Sequence, residues 1–248
     1  MDAADAPDPA TAARARLAEA WPLFGLVVRT ERLVMRVATD DELVALMAVA
    51  RAGIHGPEAM PFAVPWSTIP SPDFERNYLR YHWGGRSSWS PEDWELALSV
   101  WLDGSPIGMQ SAGARRFLTM RTVLTGSWLG AAYQGHGYGK EMRSAILSVC
   151  FDGLGTLVAE TEAMVDNARS AGVSRALGYE ENGLGALAPL GVRRETQRYR
   201  MTVDGWRSRP RPPVTIEGLE ACLPLFGLDD PPFPEGSAPT SEGPTTAS

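Results

Sequence analysis

Two periods of hydrophobic and polar residues alternate along this chain, and the switches between them lay out an order of elements. Leu33–Val37 alternates with the period of a half-buried strand. Thr39 and Glu42 then form a capping box ahead of Leu43, Leu46, Met47 and Ala50, which fall on one helical face, and that helix is expected to end near Gly53. Residues 54–70 carry four prolines, so they predict a structured loop rather than a helix or strand. Ser71 as cap and Pro72 at the first helical position predict a second helix with Phe74, Tyr78 and Tyr81 as its apolar stripe. Residues 95–102, the turn Asp103-Gly104, then 106–114 and 122–129 read as an antiparallel three-strand meander. A helix over 137–151 follows, with Tyr138, Met142, Ala145, Ile146 and Val149 in register. A strand over 156–165, a helix over 168–177 and a closing pair at 183–187 and 195–203 complete the order. The expected fold class is α/β, more closely an α+β mixed sheet flanked by helices.

The ends look different. Residues 1–20, rich in Ala, Asp and Pro, and residues 229–248, rich in Pro, Ser, Thr and Gly, offer too little apolar surface to pack and are expected to be disordered. Between them, 21–206 reads as one domain and 207–228 as an extension that packs on the domain or on a dimer mate. The pentapeptide Pro-Leu-Phe-Gly-Leu occurs at Pro22 to Leu26 and again at Pro224 to Leu228. Two such apolar segments can pack side by side or across a two-fold axis, which leaves a homodimer open.

Composition narrows the function classes. The chain has 248 residues, 44% of them hydrophobic, enough for a real core. A formal net charge of -7 gives no general attraction to nucleic acid or to an anionic membrane, so neither is expected as a partner. The longest apolar stretches fall far short of the roughly 20 residues of a membrane helix, and the N-terminal residues lack the basic start and apolar run of a secretory signal. Cys150 and Cys222 match no metal or redox spacing and read as buried thiols. A soluble cytoplasmic protein without a metal is the expectation.

The strongest local signal is Gln134-Gly135-His136-Gly137-Tyr138-Gly139-Lys140, placed between a strand and the start of a helix. Glycines let the backbone approach an anion closely, and the helix N-terminus adds a partial positive charge, so the loop suits a pyrophosphate. It is not a dinucleotide fingerprint, because no strand-helix-strand unit precedes it. Nor is it a P-loop, because Glu141 stands where Ser or Thr would be required.

Downstream stand Asp166-Asn167-Ala168-Arg169-Ser170, Val173-Ser174 and Leu177-Gly178-Tyr179. Q-x-x-G-x-G opening a helix, followed by a strand and N-x-x-S-x-x-V-S-x-x-L-G-Y, resembles the GNAT superfamily of acyl-CoA N-acyltransferases, in the branch of the ribosomal-protein N-acetyltransferases. The resemblance runs from about Leu23 to Trp206. The opening from Leu23 to Arg36, the loop from Gly53 to Trp66 and Gly126-Ser127-Trp128-Leu129-Gly130 look closest to an actinobacterial subgroup, some members of which are described as succinyltransferases.

The resemblance implies a mostly antiparallel sheet splayed between the strands ending at Leu129 and Val165, with acetyl-CoA or succinyl-CoA as co-substrate. Its pantetheine arm would lie against Trp128 and Leu129, its pyrophosphate on residues 134–140, and Asn167 would meet the pantetheine or acyl end; the plainer role for Asn167 is a helix N-cap. Ser174 stands where many relatives carry the tyrosine that hydrogen-bonds the departing thiolate, with Ser170 as competitor; each also reads as a serine bonding its own helix. A backbone N–H near Leu129 would face the oxyanion. Many relatives carry a carboxylate on the strand before the loop, and 122–129 has none, which leaves Glu160, Glu162, Glu180 and Glu181 as candidate bases or plain surface residues. His55, Met60, Phe62 and Trp66 would overhang the acceptor side, with His82 and Trp83 extending the wall. Arg115, Arg116 and Arg121 are candidates for the far carboxylate of a succinyl group. The acceptor is an amine that the sequence does not name.

Overall fold

The computed structural model describes residues 8–56 and 59–229. Helix α1 spans Pro9–Ala20, strands β1 and β2 span Val27–Arg29 and Leu33–Val37, and helices α2 and α3 span Asp40–Arg51 and Asp73–Ser87. Strands β3 (Trp94–Leu102) and β4 (Ser105–Ala114), the short helix α4 (Phe117–Met120) and strand β5 (Thr122–Leu129) come next. Helix α5 (Tyr138–Ser148), strand β6 (Val158–Met164), helix α6 (Ala168–Leu177) and strands β7 (Glu180–Leu187) and β8 (Arg194–Thr202) follow, then helix α7 (Val203–Arg207) and strand β9 (Thr215–Glu217).

The strands form one nine-stranded sheet in the order β7-β8-β6-β5-β4-β3-β2-β1-β9. Every neighbouring pair is antiparallel except β5 with β6, which α5 joins by a crossover. Helix α2 starts at the capping box expected of Thr39 and Glu42 and buries Leu43, Leu46, Met47 and Ala50 with Phe74 and Tyr78 of α3 and Met109 of β4. On the opposite face, α5 buries Met142, Ala145, Ile146 and Leu147 in a second, larger core. The two faces of one sheet therefore carry two separate hydrophobic layers, and the site lies where β5 and β6 meet between them.

Three expectations are corrected, and one left open between two alternatives is resolved. Residues 9–20 are helical rather than disordered: Asp8 caps α1, and Arg14 reaches across to the Val37 carbonyl at 2.9 Å and pairs with Glu42. A tail poor in apolar residues is here held by one half-buried guanidinium. Residues 1–7 and 230–248, also expected to be disordered, lie outside the described residues.

Ser71 does not cap α3. Pro72 takes the cap position, and the Ser71 hydroxyl donates to Glu75 at 2.7 Å. Tyr81 is exposed and hydrogen-bonds Glu95, while His82 fills the third place of the buried stripe.

The extension 207–228 packs on its own domain. Strand β9 pairs with β1, and Cys222, Leu223, Phe226 and Leu228 join the larger core, with the Phe226 ring 4.9 Å from Trp94 and 5.2 Å from Trp89. The two pentapeptide copies become 3-10 turns in contact within one chain, buried at Leu23, Phe24 and Leu26 and again at Leu223, Phe226 and Leu228. Their apolar side chains pack side by side within the fold, the first of the two arrangements expected of them.

Candidate active site

Strands β5 and β6 pair only from Thr122 with Val158 to Leu124 with Glu160, then part, although β5 runs on to Leu129 and β6 to Met164. Gly130 gives its N–H to Ile107 on the β4 side, and the Thr125 carbonyl accepts from the Thr161 hydroxyl on the β6 side. Successive residues of a strand turn their N–H and C=O to opposite neighbours. Ser127 and Leu129 therefore face the gap. On β6, Glu160 offers its carbonyl to the Thr125 hydroxyl, and Val165 gives its N–H to Glu195, so Glu162 and Met164 face the gap from the other side. The cleft is a stretch of sheet from which one strand is missing.

At its mouth sits the glycine loop. Gly135 and Gly137 adopt φ of 83° and 87°, left-handed values that a side chain disfavours, and Gly137 caps α5 without a side-chain contact. The N–H groups of Gly135 and Gly137 meet no acceptor among the described residues. Those of Tyr138 and Gly139 open the helix, where no intrahelical partner exists. Gln134 ties the loop down: its amide donates to the Ile54 carbonyl at 2.6 Å and the Leu129 carbonyl at 2.9 Å, and it accepts from Arg169 of α6 at 2.6 Å.

From the turn between β1 and β2, Arg32 donates to the His136 carbonyl at 3.1 Å and to Glu141 at 2.7 Å, with its guanidinium 4.5 Å over the Tyr138 ring. Arg32 thereby pulls the one loop carbonyl it holds away from the amides.

The closed end of the gap is polar. Arg143 of α5, only 4% exposed, donates to Gln110 of β4 at 3.2 Å, Thr161 of β6 at 3.2 Å and Ser127 of β5 at 3.0 Å. Tyr179, buried beside Thr125, completes the cluster, and burial holds the Arg143 pKa below the ordinary arginine value and the Tyr179 pKa above that of an exposed tyrosine. Side chains here stitch three strands together where the backbone ladder stops.

A family model described as an acetyltransferase (GNAT) domain matches residues 32–180. The chain belongs to the GNAT acetyltransferase family. Solved structures agree on the fold. Mycobacterium smegmatis RimJ in complex with CoA-disulfide is 18% identical, with a TM-score of 0.61 over 82% of this chain and 95% of that one. RimL, a ribosomal L7/L12 alpha-N-protein acetyltransferase solved with coenzyme A, is 15% identical, with a TM-score of 0.58 over 72% of this chain and 99% of that one. A GNAT-family acetyltransferase from Bacillus anthracis is 15% identical, with a TM-score of 0.56 over 72% and 99%.

Within this GNAT domain the residues singled out in the sequence fall into three places. Leu129, Gln134 to Lys140 and Asn167 gather at the cleft mouth, and Asn167 caps α6 by accepting from the Ser170 N–H at 3.1 Å. Ser174 is fully buried, and its hydroxyl donates to the Ser170 carbonyl at 3.2 Å, whereas Ser170 is half-buried.

On the other face His55, Phe62, Trp66 and Trp128 form a chain of rings, His55 to Phe62 at 5.8 Å, Phe62 to Trp66 at 5.1 Å and Trp66 to Trp128 at 5.7 Å, with Met60 buried in the same loop. His82 connects to that chain through Tyr78, whose ring lies 5.8 Å from Trp66. It lies further along α3, 4.7 Å from Tyr78, in a small cavity with Arg86, Trp89 and Glu95, and burial takes its pKa down to about 4. Burial pushes the Cys150 thiol up to about 12 and Cys222 to about 11, so both are inert thiols at neutral pH.

Arg115, Arg116 and Arg121 belong to the connection from β4 to β5, at the paired end of β5 and β6; Arg121 holds the Leu154 carbonyl at 3.3 Å. They do not line the gap. The sequence reading missed Arg143, Ser127 and Arg32. A charged residue at 143, inside the apolar register of Met142, Ala145 and Ile146, was the available signal for the first; nothing local marked the other two. Among the described residues, no three His, Cys, Asp or Glu side chains stand close enough to hold a metal ion, and no helix is long and apolar enough to cross a membrane.

Proposed function

We propose that this GNAT domain is an acyl-CoA-dependent N-acyltransferase that moves an acetyl or succinyl group from coenzyme A to a primary amine on a protein N-terminus, a lysine or a small molecule. The observation that carries the reading is the parting of β5 from β6 beside open loop amides. Backbone groups of Glu162 and Met164 can pair with the amides of a pantetheine arm, while Gly135 to Gly139 offer N–H groups to a pyrophosphate. The CoA complexes of RimJ and RimL support the same ligand.

The reaction is direct attack of a neutral amine on the thioester carbonyl: the new C–N bond forms, the C–S bond breaks, and the amine proton leaves to a base or to water. Leu129 N–H, turned into the gap, is placed to donate to the developing oxyanion. Glu162 and Glu160 sit on the face opposite α5, the face that carries Trp66 and Trp128, and are candidate bases for an amine arriving there. Ser170 has the freer hydroxyl for the departing sulfur, since Ser174 donates to its own helix.

Free-thiol release from acetyl-CoA and succinyl-CoA over a panel of amines, including ribosomal N-terminal peptides, tests the proposal. Turnover with at least one amine is expected. A second reading, a non-catalytic acyl-CoA sensor, is favoured by the absence of a carboxylate on β5; thermal stabilisation by acyl-CoA with no thiol release from any amine would establish it instead.

A further inference from the structure

Arg143 carries a charge that nothing around it answers. Its partners Gln110, Thr161, Ser127 and the Tyr179 hydroxyl are neutral, and no ion pair reaches it among the described residues. Glu160 and Glu162 flank Thr161 in sequence, but alternation along β6 turns them to the opposite face, where Glu162 pairs with the Thr196 hydroxyl. A strut between three strands needs only donors, which a glutamine would supply at far lower desolvation cost than a buried cation. Ser127 connects that cation to the gap: it is exposed, and its oxygen accepts from Arg143, so its own O–H proton is free to point outward with its donor strength raised by the charge. It lies two residues from Leu129 toward the fork, about 7 Å at ~3.3 Å per residue. That is the direction in which an acyl chain extends if its carbonyl sits on the Leu129 N–H.

We propose that the gap selects a donor whose acyl chain ends in a carboxylate, with Ser127 and Arg143 as the recognition pair. The proposal rests on the acyl-CoA reading above and names the donor class for it: a short dicarboxylic acyl-CoA of malonyl to succinyl length. The far carboxylate takes the Ser127 O–H and sits against the positive end of Arg143, giving the buried cation its counter-ion only when the donor is bound.

Titration calorimetry of the full chain with CoA, succinyl-CoA and butyryl-CoA, an uncharged donor of the same chain length, is the test. Succinyl-CoA should bind at least about tenfold more tightly than butyryl-CoA, the worth of one charge-assisted hydrogen bond. Ser127→Ala and Arg143→Gln should each bring that ratio close to one while moving the Kd of CoA itself less than about threefold, a selective loss that a merely structural role would not give. Ser127→Ala, at an exposed position, carries the test if Arg143→Gln fails to fold. Equal affinity for the two donors in the unmodified chain, or a ratio that survives both substitutions, overturns the selectivity while CoA binding still stands. Failure of CoA to bind at all overturns the acyl-CoA reading, and this proposal with it.

Discussion

At Gly137 the backbone holds φ at 87° so that the helix opening of α5 presents its first amides outward, and the Arg32 guanidinium stands 3.4 Å from where a Cβ would be. Gly137→Ala should cost about 1–2 kcal/mol of stability, the penalty of a left-handed conformation for an L residue. It should also raise the KM for acyl-CoA while kcat changes little, which steady-state kinetics and a urea titration check together. His82 gives a pH signature of a different kind. An unfolded imidazole takes its proton near pH 6.5, the folded one only near about 4, because burial and the neighbouring Arg86 oppose the charge. The unfolded state therefore binds the proton first as pH falls, and stability drops between roughly pH 6.5 and 4, by up to about 3 kcal/mol. Urea midpoints across that range should slope downward for the unmodified chain and flatten for His82→Gln.

Elements at the two ends of the chain owe their order to contacts with the middle. Helix α1 contributes no buried residue of its own and is fixed through Arg14, the Val37 carbonyl and Glu42. Strand β9 has three residues, too few to stand alone, and is held by β1 and by the core residues that follow it. Phe226 is fully buried between Trp89 and Trp94. Phe226→Ala should lower stability by about 3–5 kcal/mol, and a chain ending at residue 213 by more, as read from thermal midpoints. The loss should fall on folding rather than on the cleft, because β9 lies at the far edge of the sheet from β5 and β6.

For the molecule as a whole, local period and turn chemistry were enough to read the meander β3 to β5, the helices α2, α5 and α6 and the glycine loop, because each of these carries its own pattern within a dozen residues. Strand β1 and the edge strand β9 beside it were not legible, since three residues give no period. The same holds for the cluster at the fork: Arg143 looked like one polar position in a helix, and Gln110, Ser127, Thr161 and Tyr179 come from four other segments of chain. The sequence by itself determined that a loop of glycines would meet a helix N-terminus, for that depends on neighbours in the chain and on the conformations glycine permits. Only the tertiary structure decided at which residues β5 and β6 stop pairing and which charge lies beneath the opening, because strand register and burial are set by residues far apart in sequence that the fold alone brings together.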